Sequence, residues 1–572
     1  MSKTVLVLGT GAAGMRAAIE LRRSGIRAIA VSKGSAAASG ATPSALYSYC
    51  CGREGDPQNS PERFREDVLR SGLTVNDPDL VELLVRDGFP RLEDLTEMGM
   101  PWTRDAGGDY DLGMLPGHSA PRAFHVGRST GRALQATLTR EGLKAGVEFL
   151  QYHVALDLIM RNGKVAGAIL LDLVSGQAVF QPCGAVVIAT GGFAGVFGLN
   201  TNPPGATGDG LAMVLRAGGE LSDMEFMQMY PTVLVAPPRV AGMEIPTGQI
   251  LSADAKLLNR DKEEFFGRWE KVPVGQATRD VLARAIAREI HSGGGTDAGG
   301  VYLDARNVRL DLNSDRYIRF LKVMGVDPTA DLQEVAPGAH YSLGGIRVTA
   351  PCSCPGLEGV FAAGEVVSGV HGANRLAGNA LTETQVFGAA AGRAAAQYLS
   401  REGCSREDCS PTQCRPPERG ESRLYDGLCD AGERGTGQTP FGIRERLTKV
   451  MDRYAATIRT SESLTYARNE IASLREEFRT SVGIPSPKAG ESWFPRLLQY
   501  VETANMLSVA EALVISGLVR SESRGSHYRD DFPERDSAWD GRNVVTRMSA
   551  DGKGLEVFIR DRASGERRQV DI

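Results

Sequence analysis

The sequence predicts an α/β protein in which a Rossmann-like sheet is interrupted by an insertion and followed by helices. Three observations lead there. Val5-Leu6-Val7-Leu8 is a continuous apolar run, the pattern of a strand buried on both faces. A glycine-rich turn, a helical repeat (Ala17, Ala18, Ile19, Leu21) and a second apolar run, Ala28-Ile29-Ala30-Val31, follow it directly. Two more such runs come far downstream, Ala185-Val186-Val187-Ile188 and Val360-Phe361-Ala362-Ala363, each closed by glycine. From Arg444 to about Leu518, apolar side chains instead recur at helical spacing, as at Leu447, Val450, Met451 and Tyr454.

The turn after the first strand reads Gly9-Thr10-Gly11-Ala12-Ala13-Gly14. It is a G-x-G-x-x-G in the strand, turn, helix, strand context that a dinucleotide fingerprint requires. Glycine there lets the backbone approach a pyrophosphate, whose charge then meets the positive helix N-terminus. The second strand ends in Ser32-Lys33, where an NAD site usually carries Asp or Glu. The third ends in Ala189-Thr190-Gly191-Gly192 and the fourth in Gly364-Glu365, so the chain returns twice to one sheet. That is the layout of FAD flavoproteins of the two-dinucleotide-binding type, with Glu365 toward the flavin. Residues 404–440 are polar, charged and broken by Pro and Gly, which predicts a linker. Residues 544–572 read as a small strand-rich tail with Gly552 and Gly565 in its turns.

Composition narrows the partners. The 572 residues carry a net charge of −5, with 24% charged and 42% hydrophobic residues, the balance of an ordinary globular protein of several domains. Nucleic acid is disfavoured, since phosphate binding needs a dense Lys/Arg footprint. No apolar stretch reads as a membrane span, and Met-Ser-Lys enters the first strand without a signal-peptide layout. A cytoplasmic protein is expected, membrane-associated only through a partner subunit. Nine cysteines, an odd and scattered set, do not suggest a disulfide framework. Cys404, Cys409, Cys414 and Cys429 are spaced more widely than ferredoxin or zinc pairs and read as thiols in a loop, so no metal site is assigned. Cys50-Cys51 and Cys352-Ser353-Cys354 carry no ligand spacing either. Glycine, 68 residues, exceeds its usual share of roughly 7% and concentrates where backbone would approach a long dinucleotide.

Longer strings carry a resemblance. They are Ser32-Lys33, Ala189 to Gly192, Ala206-Thr207-Gly208-Asp209-Gly210, Met224-Glu225-Phe226-Met227-Gln228 and Val301-Tyr302-Leu303-Asp304. Ala339-His340-Tyr341-Ser342-Leu343-Gly344-Gly345-Ile346, His371-Gly372-Ala373-Asn374-Arg375-Leu376-Ala377-Gly378-Asn379-Ala380-Leu381 and Glu522-Ser523-Arg524-Gly525-Ser526-His527-Tyr528-Arg529 follow. Together they resemble the flavoprotein subunits of fumarate reductase, succinate dehydrogenase and L-aspartate oxidase, across nearly the whole chain. The resemblance implies a discontinuous FAD-binding domain at 1–234 and 346–403, an α+β capping domain at 235–345, the linker, a helical domain at 441–520 and a tail at 521–572. It implies cofactor contacts at Gly9, Gly11, Ala12, Ala13, Gly14, Ser32, Lys33, Ser39, Gly40, Ala189, Thr190, Gly191, Asp209, Gly364, Glu365, Arg375, Asn379, Ala380 and Leu381. The last three would open a helix whose positive end faces the flavin.

In that family a hydride passes between the flavin and an activated C=C bond while an acid serves the neighbouring carbon. An Arg donor, an Arg clamp and two His hold the carboxylates. Thr278-Arg279-Asp280-Val281 matches the donor segment, Arg375 the clamp, with its bidentate fork, and His340 the second His. Three departures stand out. Tyr230 occupies the place of the first His and cannot become a cation. Thr247-Gly248-Gln249-Ile250-Leu251 keeps the Thr of the family's proton relay and loses its Glu and Arg, which leaves Arg279 as an electrostatic clamp. Gly34-Ser35-Ala36-Ala37-Ala38-Ser39 lacks the His that tethers covalent FAD, so non-covalent FAD is expected. Tyr230 and Thr247 join Arg279, His340 and Arg375 as candidate catalytic residues. The expected function is an FAD-dependent oxidoreductase moving a hydride between flavin N5 and a carboxylate-bearing C=C or C–C bond, with a substrate other than plain fumarate. The alternatives are an enzyme like L-aspartate oxidase or adenylylsulfate reductase, or an electron-relay flavoprotein in a larger complex. The chain has no cluster or haem motif, so an iron–sulfur subunit is the candidate electron partner.

Overall fold

The computed structural model describes residues 3–46, 48–246, 250–308, 316–401, 417–434, 438–484, 494–552 and 554–572. Its central sheet has five parallel strands in the order Val360–Ala362, Ala185–Ile188, Thr4–Leu8, Arg27–Ser32, Glu148–Gln151. Thr4–Leu8 is buried along its whole length, which is why it reads as an unbroken apolar run rather than an alternation. Val5 pairs with Ala28 on one side and Ala185 on the other. Three glycine turns, after Leu8, Ile188 and Ala362, therefore open at the same carboxyl edge, where such sheets bind ligands. Behind that edge the helices Ala12–Arg23 and Asn379–Arg401 cross closely. A Cβ on Gly388 would lie 2.5 Å from the Ala13 carbonyl oxygen, and one on Gly392 2.6 Å from that of Ala17.

The insertion carries a four-stranded antiparallel sheet in the order Met227–Leu234, Gln333–Ser342, Val301–Asp304, Lys256–Leu258. It has its own core, with Leu234, Val240, Phe265, Leu282, Ile286 and Leu303. Met227–Leu234 precedes residue 235, so the capping sheet begins earlier than the boundary read from sequence. That strand is buried throughout, and nothing in its pattern separates it from strands of the first domain.

Three long helices, Pro440–Tyr454, Ser461–Ser481 and Phe494–Val519, form the C-terminal helical part. The expected linker is not uniformly irregular. Arg423–Arg434 is a helix that buries Leu424, Leu428 and Ala431 on one face, and its many charges conceal that short stripe in the sequence. Cys429 sits on it, half-buried, whereas Cys404, Cys409 and Cys414 lie outside the described residues. Among the described residues one helix, Pro495–Val519, has the length and composition of a membrane-crossing segment, and its burial is that of a core helix. It has 25 residues, and the 18-residue stretch of it with mean hydropathy 1.3 is 78% buried inside the protein. The tail strands Arg542–Met548, Leu555–Asp561 and Arg567–Val570 extend a sheet that includes Glu220–Ser222 and Gly345–Ile346. Arg520, wholly buried, ties the parts together through Asp223 at 3.3 Å, Glu522 at 3.1 Å and Glu225.

Candidate active site

A cavity of about 1450 Å³ runs along the carboxyl edge of the parallel sheet and under the cap. That exceeds the roughly 300–1,000 Å³ of an ordinary ligand pocket and leaves room for a dinucleotide beside a substrate. Gly9, Gly11, Ala12, Ala13, Ser32, Ser39, Gly40, Ala189, Thr190, Gly191 and Gly364 line it, with Ala380 and Leu381 from the helix at 379. Gly14 serves packing instead: a Cβ there would lie 1.9 Å from the Gly9 carbonyl oxygen, so helix and strand could not close. Gly9 itself has φ +108° and faces the Ala189 backbone, where no side chain fits.

This wall suits FAD. Helix Ala12–Arg23 starts at Gly11, which has no side chain to cap it, and carries no acidic residue in its first turn. Thr42 Oγ1 accepts from the Ala12 N–H at 3.0 Å, and the uncharged first turn leaves the positive end to an anion. Gln135 holds the turn from behind, donating from Nε2 to the carbonyls of Thr10 at 2.9 Å and Ala36 at 3.1 Å. Thr10 Oγ1 and both amide atoms of Asn379 are buried without a protein partner. Lys33 and Asp209 also line the cavity, yet their charged ends serve each other at 2.8 Å. Lys33 pairs as well with Glu502 at 2.8 Å, and Asp209 accepts from Asn505 at 2.9 Å. Burial works against the Lys33 charge, but Asp209 and Glu502 outweigh it and hold its pKa above the ordinary value. These pairs tie the end of the second strand to the helical part. Glu365 accepts from the Ser342 N–H at 3.0 Å, and burial pushes its carboxyl up to about 7.

Under the cap, four of the five candidate catalytic residues converge. The Arg279 guanidinium lies 5.0 Å from the centre of the Tyr230 ring, and the Tyr230 and His340 rings are 5.1 Å apart. Arg375 stacks at 4.5 Å on Tyr341 and donates to Gln228 Oε1 at 3.1 Å. Gln228 is fixed in turn by donating to Asn374 at 2.9 Å and to the Arg375 carbonyl at 3.0 Å. Burial lowers the Arg375 pKa to about 10, and the neighbouring Arg279 charge adds to that. Burial, then Arg279 and Arg375, depress His340 well below the usual imidazole range, so it is neutral at pH 7. Its Nδ1 shares a 2.7 Å hydrogen bond with Thr201 Oγ1, and its carbonyl accepts from Asn202 Nδ2 at 2.7 Å. Nε2 is thus the ring nitrogen available to a ligand. Thr247, the fifth candidate, lies outside the described residues.

The structure also supplies what the sequence reading missed. Glu244, buried in the cavity wall, approaches His340 Nδ1 to 3.9 Å. Burial raises its carboxyl to about 7, against the pull of Arg279, Arg128 and Arg375. A glutamate therefore stands beside Arg279 after all, contributed from a stretch three residues before Thr247. Arg128 lines the same cavity and acts electrostatically on Glu244. His118 lines it too, with its pKa lowered to about 4 by burial and its Nε2 2.9 Å from the Ala377 carbonyl. None of the three stands in a string that the sequence marks.

Comparison with known proteins agrees with this geometry. The FAD binding domain family matches residues 4–381, and the fumarate reductase flavoprotein C-terminal family matches 444–562. A CoM/CoB fumarate reductase component of Methanothermobacter marburgensis is 36% identical, covering 95% of this chain and 97% of that protein. L-aspartate oxidase of Streptomyces coelicolor is 33% identical over 96% and 92% of the two chains. Among solved structures, E. coli quinol fumarate reductase superposes with a TM-score of 0.86 at 28% identity, over 100% of this chain and 98% of that one. Adenylylsulfate reductase of Archaeoglobus fulgidus, at 20% identity over 100% and 95% of the two chains and a TM-score of 0.73, shares the fold. With a cavity shaped for FAD and relatives matched end to end, the chain belongs to the fumarate reductase and succinate dehydrogenase flavoprotein family and is an FAD-dependent oxidoreductase.

Proposed function

We propose that the protein interconverts a carboxylate-bearing C=C bond and its saturated C–C form, on an acid other than plain fumarate. One observation carries this reading: two guanidiniums, Arg279 and Arg375, share the substrate end, and each keeps a buried N–H without a protein partner, Nη1 and Nε respectively. Like charges are gathered there only at a cost, which a bound carboxylate offsets with charge-assisted hydrogen bonds. Bound non-covalently, FAD supplies the hydride chemistry. Arg375, held by Gln228 and Tyr341, orients the acid. Neutral His340 offers Nε2 to the carboxylate, and Tyr230 a hydroxyl. Glu244 keeps a proton near neutral pH beside Arg279, which spares the guanidinium from acting as an unaided acid. With Tyr230 in place of a second imidazole, the far end of the ligand meets an aromatic hydroxyl, which suits one carboxylate and a bulkier or neutral remainder.

The test is to photoreduce the enzyme without oxygen and add fumarate, aromatic acrylates, iminoaspartate or adenylylsulfate in turn. Reoxidation by an unsaturated monocarboxylate supports the reading. Reoxidation by iminoaspartate alone would favour the chemistry in the name of the 33%-identical Streptomyces relative. Reoxidation by none of them would favour the electron-relay reading. Relatives named as subunits support a protein partner, which we propose is an iron–sulfur subunit meeting the helical part.

A further inference from the structure

We infer that Glu383 is a positioning residue that holds the Arg375 clamp through Tyr341. The inference rests on the clamp role given to Arg375 above. Arg375 is almost wholly buried, and its protein acceptors are the Leu376 carbonyl at 3.2 Å and Gln228 Oε1 at 3.1 Å. Neither is a carboxylate. What covers the flat face of the guanidinium is the Tyr341 ring, at 4.5 Å. Behind that ring, out of the cavity, the Tyr341 hydroxyl donates to Glu383 Oε2. The same oxygen is 3.0 Å from His371 Nε2, and the two rings, 5.5 Å apart, meet edge to face. Glu383 is completely buried, on the first turns of the helix Asn379–Arg401, whose Ala380, Leu381 and Thr384 line the cavity.

The physical link has two parts. A phenol that donates to a carboxylate is more electron-rich on its face, which strengthens its attraction for a stacked cation. The carboxylate also anchors the ring, so that Arg375 keeps one orientation rather than several. Burial, with Glu383 and Glu365, keeps the Tyr341 phenol protonated far above neutral pH, so the donor is always in place. Glu383 thus acts on the clamp from behind the cavity wall and touches no ligand. Its charge additionally opposes accumulation of negative charge at the neighbouring cavity wall, where the flavin fits.

Glu383→Gln and Tyr341→Phe test this on the FAD-loaded protein. Malonate and acetate serve as inert anions, titrated against the flavin absorption spectrum, so the result does not depend on which acid is turned over. Each substitution is expected to weaken malonate binding about tenfold, the loss of one charge-assisted hydrogen bond. The double variant should be no weaker than the poorer single one, because both act along one path. Glu383→Gln should also raise the flavin midpoint potential, whereas Tyr341→Phe should leave it nearly unchanged. Should Glu383→Gln load no flavin, Tyr341→Phe decides by itself, since it deletes only the hydroxyl that reaches Glu383. Malonate affinity within twofold of the parent in Tyr341→Phe, or additive losses in the double variant, would overturn the proposal. A protein that binds malonate tightly but reduces no C=C bond would instead count against the proposed function alone.

Discussion

Arg279 and Arg375 depress each other's neighbours electrostatically, and this sets the terms for every side chain around them. His340 is neutral because of burial and those two cations, so its contribution is a hydrogen bond and not a charge. Arg279→Ala should lower turnover by at least about 100-fold while FAD stays bound, the usual scale for removing an acid–base or clamp group. Turnover near the parental rate would refute its role. Glu244 gives the pH dependence its sign. Its carboxyl, raised to about 7, is mainly protonated below that pH and ionised above it. Reduction consumes a proton, so the reductive rate should fall as pH rises through about 7, and oxidation should show the reverse trend. Glu244→Gln should flatten that limb; an unchanged inflection in the variant would assign it to another group. At this scale the sequence marked Arg279, His340, Arg375 and Tyr230 through the strings that hold them. Glu244 and Arg128 have no such strings, and only folding brings them to the same wall.

At the scale of elements, glycine positions carry the fold's tightest demands. Gly388 lets the helix Asn379–Arg401 press its backbone against Ala13, in the helix that begins the cofactor turn. Gly388→Leu should cost about 1–3 kcal/mol by overpacking and reduce FAD loading, because both cavity-facing helix ends shift together. Thermal unfolding and flavin content read this directly, and a parental melting temperature would show that the crossing tolerates bulk. The first strand, turn and helix were readable because all their determinants lie within a few tens of residues. The helix Arg423–Arg434 was not, since its buried stripe is three residues among many charges. Nor did the apolar length of Pro495–Val519 say what it packs against. Periodicity identifies a helix; burial of that helix is decided by its neighbours.

For the whole molecule, FAD and the buried charges join parts that are distant in sequence. Acid precipitation should leave the flavin in the supernatant, because the segment 34–39 offers no histidine as a tether; a yellow pellet would contradict non-covalent binding. Stripping FAD should lower the melting temperature by the linkage expected of a ligand that binds only the folded state. Arg520→Leu, which removes the buried cation between Asp223 and Glu225 and leaves Glu522 to Arg524 alone, should cost about 3–5 kcal/mol and loosen the tail from the FAD half. By itself, the sequence determined the parallel sheet, its dinucleotide edge and the family, since these rest on contiguous strings whose spacing dictates backbone shape. Only the tertiary structure decided where the cap begins, that Lys33 and Asp209 neutralise each other, and that a glutamate stands beside Arg279. Those outcomes depend on which charges meet across loops and domains, and electrostatic pairing follows distance in space and not position along the chain.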